Sequence, residues 1–163
     1  MRILAIDPGV EKVGYSVFQK HVNGTVTYNF LQSGLIKTPK NLSHELRLQQ
    51  IYTELKKIVK DQSIETIVME RLFFFKNQKT VIGVGQAQGV ILLLAAESKI
   101  PVEYLTPLQI KSSVTGYGNA DKKSVQKMLR LMMKESLPEK WEDDESDAVA
   151  CGLAYCYINN NLR

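Results

Sequence analysis

The sequence predicts an α/β fold in which a mixed five-stranded sheet carries helices on both faces. Three observations predict it. The first third of the chain contains strand patterns joined by a hairpin signal, Asn23-Gly24. From about residue 66 onwards, short apolar strands alternate with helix-length segments, and such crossovers lead to parallel pairing. The length of 163 residues suits a single domain, residues 1–163, with its own core.

The opening strands are recognised from alternation and from the turn residues that bound them. Pro8-Gly9 ends the first strand, because proline has no backbone N–H to donate to a sheet. In the third strand, Val26, Tyr28 and Phe30 recur at every second position and so share one side. These strands are predicted at about 2–7, 14–20 and 25–31.

The later elements are helices separated by two short strands. Leu48, Ile51 and Leu55 recur at helical spacing and predict an amphipathic helix. Thr106-Pro107-Leu108-Gln109 has the form of a capping box with proline at the first helical position. The predicted order is helix 43–60, strand 66–70, helix 80–99, strand 102–105, and helices starting near 107, 121 and 145.

The charge distribution is uneven. The net charge is +4 and the pI is about 9.0. Between residues 104 and 134 there are six basic residues and one acid, whereas residues 142–147 hold five acids in six positions. A basic surface can bind phosphates, and a small anionic pocket can bind cations. This combination is typical of a metal-dependent nuclease.

Other classes of site are not indicated. No apolar run approaches the length of a membrane span, and Asp7 interrupts the apolar start, so we expect a cytoplasmic protein that contacts no membrane. His21 and His44 lie far from any cysteine pair, so no zinc pattern is present. Cys151 and Cys156 are predicted to be reduced core residues.

Four carboxylates are the candidate catalytic residues. Asp7 and Glu70 each end an apolar strand, and strand ends of one sheet converge on a common crevice. Asp144 and Asp147 lie at i and i+3 and therefore share a helix face. Carboxylate oxygens are ligands that Mg²⁺ prefers, and four could hold two ions that clamp a phosphodiester.

Each acid also has a simpler explanation. Asp144 could cap the last helix, where acids are favoured by the helix dipole. Asp7 could cap the turn that follows it, and Glu70 could pair with Arg71 or with a lysine. Asp143 is a rival to Asp144, because it also shares a face with Asp147. The residues alone leave these alternatives open.

The chain resembles the RuvC family of bacterial Holliday junction resolvases over nearly its whole length. The motifs appear in the family's order: Ile3-Leu4-Ala5-Ile6-Asp7-Pro8-Gly9, Glu70-Arg71-Leu72-Phe73, Gly116-Tyr117-Gly118 and Asp144-Glu145-Ser146-Asp147-Ala148. One departure is Gln88, where family members often carry a basic residue.

The resemblance implies an RNase H-like fold and a set of metal ligands, namely Asp7, Glu70, Asp144 and Asp147. It selects Asp144 over Asp143. It also implies two Mg²⁺ ions per site, with Mn²⁺ able to substitute. The implied enzyme is a homodimer that nicks two strands of a four-way DNA junction symmetrically, in recombination and repair. A branch-migration motor complex is an implied further partner.

The resemblance further implies DNA-binding residues. Phe73 matches an aromatic residue that stacks on bases at the crossover, and Lys111 and Lys122 match basic residues beside the scissile phosphate. A strand buried on both faces would also explain Phe73-Phe74-Phe75, and a solvated helix face would explain Lys123. The remaining candidates for DNA contact are Lys76, Lys79 and Lys123.

Three other functions compete with junction resolution. Asp7-Pro8-Gly9 also resembles the first phosphate loop of actin-like ATPases and sugar kinases, but those enzymes need two such domains. A second alternative is another RNase H-like nuclease that acts on RNA or on an RNA–DNA hybrid. The third is a non-catalytic protein that binds junctions, which the presence of all four acids disfavours.

Overall fold

The computed structural model of the chain describes residues 1–23, 25–71, 78–133 and 141–158. The strands are β1 (Arg2–Asp7), β2 (Lys12–Asn23), β3 (Thr25–Lys37), β4 (Thr66–Glu70) and β5 (Val102–Leu105). The helices are α1 (His44–Asp61), α2 (Gln78–Ser98), α3 (Pro107–Thr115), α4 (Lys122–Met133) and α5 (Asp143–Ile158).

The five strands form one mixed sheet in the order β3-β2-β1-β4-β5. The hairpin-linked strands β1, β2 and β3 pair antiparallel, whereas β1 with β4 and β4 with β5 pair parallel. This arrangement confirms the predicted mixed sheet. It also places β1 at the centre, with the strand end that carries Asp7 beside the end that carries Glu70.

The two faces of the sheet are covered by different helices. Successive residues of β1 point to opposite faces, so Ile3 and Ala5 belong to one core and Leu4 and Ile6 to the other. The first core is completed by α3, α4 and α5, and the second by α1 and α2. Helices on both faces are therefore confirmed.

Local signals predicted some boundaries well and others poorly. The capping box at Thr106 is present, with its hydroxyl accepting from the Gln109 backbone N–H at 3.2 Å. In contrast, β3 continues six residues beyond the predicted end at Leu31, to Lys37. Helix α5 begins at Asp143, so the alternative in which Asp144 caps this helix is wrong.

Helix α2 contradicts the expectation that no apolar segment of the chain approaches the length of a membrane span. Its stretch Val81–Ser98 has a mean hydropathy of 1.4 and is long and apolar enough to cross a membrane by length and composition. This is weak evidence, because a core helix passes the same test. One side of α2 does pack in the core, through residues such as Ile91 and Leu94.

Candidate active site at the carboxyl ends of β1 and β4

Asp7 and Glu70 are the last residues of two neighbouring parallel strands. Ile6 lies opposite Met69 in the register of β1 and β4, so the acids that follow them lie at the same edge of the sheet. Both residues are partly buried. The sequence-based expectation that the two strand-end acids meet is therefore met by the register.

Close packing of α5 on β2 brings Asp144 and Asp147 to the same edge. Gly14 pairs with Asp7 across the β1–β2 ladder. A Cβ atom at Gly14 would lie only 1.9 Å from the carbonyl oxygen of Asp144, so only glycine allows α5 to approach this closely. One turn further along, the Ser16 hydroxyl donates to the carbonyl of Ala148 at 2.8 Å.

At this edge of the sheet several acids repel one another, and the nearby positive charge offsets that repulsion only in part. Burial, followed by repulsion from Asp147, Asp144 and Glu70, raises the pKa of Asp7 to about 8. Burial and the charge of Asp147 likewise raise the pKa of Glu70. Burial also raises the pKa of Asp147, against the opposing effect of Lys122. We call Asp7, Glu70, Asp144 and Asp147 the acid cluster.

Lys122, the first residue of α4, compensates part of this charge. Its ammonium lies 2.9 Å from a carboxylate oxygen of Asp147 and 3.5 Å from one of Asp143. Burial acts to lower the pKa of Lys122, but the bonds to Asp147 and Asp143 outweigh it and raise that pKa. Lys122 therefore acts as a built-in counter-ion at one end of the cluster.

Asp143 and Asp144, the rival candidates, have different surroundings. Asp143 lies toward α4, within 3.4 Å of the amide nitrogen of Gln126 and near Lys122. Asp144 lines a cleft together with Asp7. These positions favour Asp144 as the partner of Asp7.

The residues of the cluster fit a hard divalent cation by their chemistry. All four offer carboxylate oxygens, and the raised pKa of Asp7 shows that this buried group needs a proton or a cation nearby. Yet among the described residues, no three His, Cys, Asp or Glu side chains lie close enough to form a ready-made metal site. Asp147 is instead paired with Lys122.

Two clefts flank the acid cluster. The first cleft, of about 280 Å³, is lined by Glu70 and Asp147 together with Lys111 and Lys122. This location brings both predicted phosphate-binding lysines beside two of the four acids.

The second cleft, of about 490 Å³, is lined by the other two acids, Asp7 and Asp144. Its basic lining residues, Lys12, His44 and Arg47, were not predicted as site residues from the sequence. Nothing in the local sequence marks them, because they come from β2 and α1 and meet the acids only through the fold.

The remaining DNA-binding candidates are less well placed. Lys123 is exposed on the first turn of α4 and is not among the residues that line the two clefts. Phe73 and Lys76 lie outside the described residues, and Lys79 lies in α2 without a described side chain. The side-chain amide of Gln88 donates to the backbone carbonyl of Glu70 at 3.4 Å. Gln88, the residue at which this chain departs from the family pattern, therefore lies beside the acid cluster.

Cys151 and Cys156 were predicted as reduced core residues, and this is confirmed. Both thiols are free and buried. Burial raises the pKa of Cys151 well above its usual range and raises that of Cys156 to about 12. Neither thiol is suited to nucleophilic chemistry.

Comparison with known proteins gives consistent matches over the whole chain. The family model for crossover junction endodeoxyribonuclease RuvC matches residues 3–156. The protein of that name from Thermosipho melanesiensis is 42% identical over 157 residues, which cover 96% of both chains. The one from Fusobacterium nucleatum is 43% identical over 98% of this chain and 81% of its own length.

Solved structures agree with these sequence matches. A structure of Thermus thermophilus RuvC superposes with a TM-score of 0.84 at 26% identity, covering 98% of this chain and 95% of that one. A second structure, described as T. thermophilus RuvC in complex with Holliday junction substrate, gives a TM-score of 0.85 at 25% identity, with the same coverage. The RNase H-like fold is thereby shown.

Proposed function

Because the chain belongs to the RuvC family of crossover junction endodeoxyribonucleases, we propose that it resolves four-way DNA junctions by hydrolysing phosphodiester bonds. It is a structure-selective endonuclease of homologous recombination and repair that makes paired, symmetric nicks. The observation that carries this function is the acid cluster at the carboxyl ends of β1 and β4, flanked by clefts that contain basic residues.

The family depends on divalent metal, and the acid cluster supplies suitable ligands. We propose Mg²⁺, two ions per site, held by Asp7, Glu70, Asp144 and Asp147, with Mn²⁺ able to replace it. When bound, these ions activate water and stabilise charge on the attacking and leaving oxygens. Asp7 ends the central strand and interacts electrostatically with the other three acids, so it would hold metal together with them.

The lysines of the first cleft are proposed to hold the scissile phosphate. Lys111 and Lys122 face the same cleft as Glu70 and Asp147, so a phosphate bound there would contact both lysines beside the acids. Positive charge fixed at this point also stabilises negative charge that develops in the transition state. Phe73 and Lys76 remain proposed DNA contacts from the family resemblance, and Lys79 and Lys123 remain so from the basic segments of the sequence.

A homodimer is the proposed assembly, because symmetric nicks require two active sites. Helix α2 offers a suitable surface. Ile82, Gly85, Gly89 and Leu93 recur along one exposed side of it, and a Cβ atom at either glycine would meet nothing within 4 Å. An uncharged stripe of this kind allows a second helix to approach closely. We name it the α2 stripe.

Junction cleavage tests the proposed function directly. The purified chain is incubated with Mg²⁺ and a synthetic four-way junction, and separately with linear duplex of the same sequence and with an RNA–DNA hybrid. We expect paired nicks in the junction and little cutting of either control. Preferential cutting of the hybrid would reassign the chain as a ribonuclease, and binding without cutting would make it a junction-binding protein.

The dimer proposal is tested with a matched pair of leucines. Leu93 lies in the α2 stripe, and Leu46 is a similarly exposed leucine on α1. We expect Leu93→Glu to shift the molecular mass in solution from dimer to monomer, whereas Leu46→Glu leaves it unchanged. A wild-type monomer, or equal masses for both variants, would contradict an interface at this stripe.

Two further proposals concern a partner, which rests on the family alone, and the location, which rests on the sequence. We propose that a branch-migration motor complex delivers the junction and that the protein acts in the cytoplasm. Co-purification with such a motor from cells, and fractionation of the cell contents, test these proposals.

A further inference from the structure

We propose that the second cleft is a binding site for a backbone phosphate of the DNA, with Lys12 and Arg47 as its cationic groups. This inference rests on the proposed function, because it concerns how a DNA strand crosses the acid cluster. It adds residues that the family resemblance did not indicate, and it assigns a ligand to a cleft of about 490 Å³, enough space for a phosphodiester group.

The position of the cleft supports a phosphate. Glu70 and Asp147 line the first cleft with Lys111 and Lys122, whereas Asp7 and Asp144 line the second. A strand whose scissile phosphate lies at the acid cluster has further phosphates on both sides of it. With the scissile phosphate held by Lys111 and Lys122 in the first cleft, a neighbouring phosphate on the side of Asp7 and Asp144 would meet the basic residues of the second cleft.

Arg47 provides the first specific observation. Its Nε donates to the Thr38 hydroxyl at 2.8 Å, which holds the guanidinium at the cleft. One of its terminal nitrogens is buried, and within the described part of the chain it has no hydrogen-bond partner. A buried donor without an acceptor is costly. Arg47 lines the cleft, so a small rotation that turns this nitrogen toward the cleft would let a phosphate oxygen there supply the acceptor.

Lys12 provides the second observation. Its ammonium is paired with Glu142, and the same carboxylate is also bound by Lys37. Lys12 can therefore turn to a phosphate while Glu142 keeps a cationic partner. Glu11 also lines this cleft, and its carboxylate is paired with Lys40, whose ammonium lies 2.7 Å from a carboxylate oxygen.

The two lysines on Glu142 give a matched experiment. Lys12→Gln and Lys37→Gln each remove one positive charge and one of the two ion pairs of Glu142, but only Lys12 lines the cleft. Binding to a synthetic four-way junction is measured by fluorescence anisotropy in EDTA over a range of salt concentrations, so that no cleavage occurs.

We expect Lys12→Gln to weaken binding about 3- to 10-fold and to lower the salt-dependence exponent by about 1, the value for one lost phosphate contact. Lys37→Gln should change affinity less than about 2-fold, because Lys37 does not line the cleft and its loss removes no direct phosphate contact. Equal effects of the two variants, or no effect of Lys12→Gln, would overturn the subsite.

A second pair tests Arg47. Arg47→Gln removes the guanidinium, whereas Thr38→Val removes the hydroxyl that it bonds and leaves the cation in place. We expect Arg47→Gln to weaken junction binding more than Thr38→Val does, because Thr38→Val keeps the cation and removes only the bond that holds it. If Arg47→Gln does not fold, the lysine pair still decides the question.

The outcomes separate this inference from the proposed function. A wild-type chain that binds and cuts junctions, together with lysine variants that behave alike, would overturn the subsite alone. A wild-type chain that does not bind junctions would overturn both.

Discussion

Glu142 and the acid cluster meet near the start of α5 but have opposite surroundings. Glu142, just before α5, is bonded by Lys12 and Lys37, and those bonds lower its pKa. Asp7 is buried among acids that repel it, and its pKa is raised to about 8. Glu142 is half-exposed and paired, whereas Asp7 is partly buried and, among the residues that the structure describes, forms no ion pair.

This difference separates a structural role from a functional one. The pairs of Glu142 fasten the start of α5 to strands β2 and β3, and surface pairs of this kind contribute little stability each. The acid cluster instead destabilises the folded chain until protons or cations arrive, which is typical of sites selected for chemistry. Replacing an acid in each group should therefore have opposite consequences.

The largest expected effect is that of Asp7→Asn on cleavage. Loss of the carboxylate that interacts with all three other acids should lower the rate of junction cleavage at least about 10³-fold, since loss of even one group that stabilises the transition state costs about 10²–10³. Junction affinity in EDTA should stay within a few-fold of wild type, because the basic residues of both clefts remain. Single-turnover cleavage and anisotropy measure the two quantities.

The counterpart Glu142→Gln is the control for this comparison. It also removes one carboxylate near α5, but not one of the acid cluster, and we expect its cleavage rate to stay within about 3-fold of wild type. If Asp7→Asn cut at the parental rate, Asp7 would not be a metal ligand. If both variants lost activity equally, the contrast between the two groups would be wrong.

The second expected effect concerns stability without metal and its pH dependence. Between pH 4 and 8 the folded chain binds a proton at Asp7 that the unfolded chain has already released, so stability falls as the pH rises through this window. Asn cannot ionise. The advantage of Asp7→Asn over wild type should therefore grow from pH 5 to pH 8 and then level off.

Thermal melting in EDTA measures this advantage. A gain of about 2 kcal/mol at pH 8 would raise the Tm by about 4–8 °C for a chain of this length. Adding Mg²⁺ should narrow the gap, because the cation stabilises the wild-type acids and not the variant lacking one of them. A gap that is the same at pH 5 and pH 8 would show that Asp7 ionises normally in the folded chain.

The sequence predicted the elements that carry their own signals. Strand β4 and strand β5 have the predicted bounds, and the capping box of Thr106 and Gln109 was predicted from four residues. The last part of β3 was missed, because Gln32-Ser33-Gly34 lacks alternating apolar residues and is held by pairing with β2. Pairing across strands is tertiary and does not appear in a local pattern.

The site shows the same division. Asp7 and Glu70 were predictable because strand ends of one sheet converge, and the register places them together. Lys12 and Arg47 were not predictable as site residues. Their partners, Glu142 and Thr38, come from other parts of the fold. The close approach of Gly14 to the backbone of Asp144 could not be predicted from the sequence either, because it depends on where α5 packs.

The smallest expected effect is that of Glu142→Gln on stability. Its two ion pairs are solvent-exposed, and their attraction is offset by the cost of ordering two long lysine side chains. We expect the Tm to change by less than about 2 °C, and to change less still in 0.5 M salt, where surface charges are screened. A larger loss that persists in high salt would mean that the start of α5 depends on Glu142. The pairing at this carboxylate would then support the position of Asp144 and Asp147, and the two groups of acids would be one coupled unit.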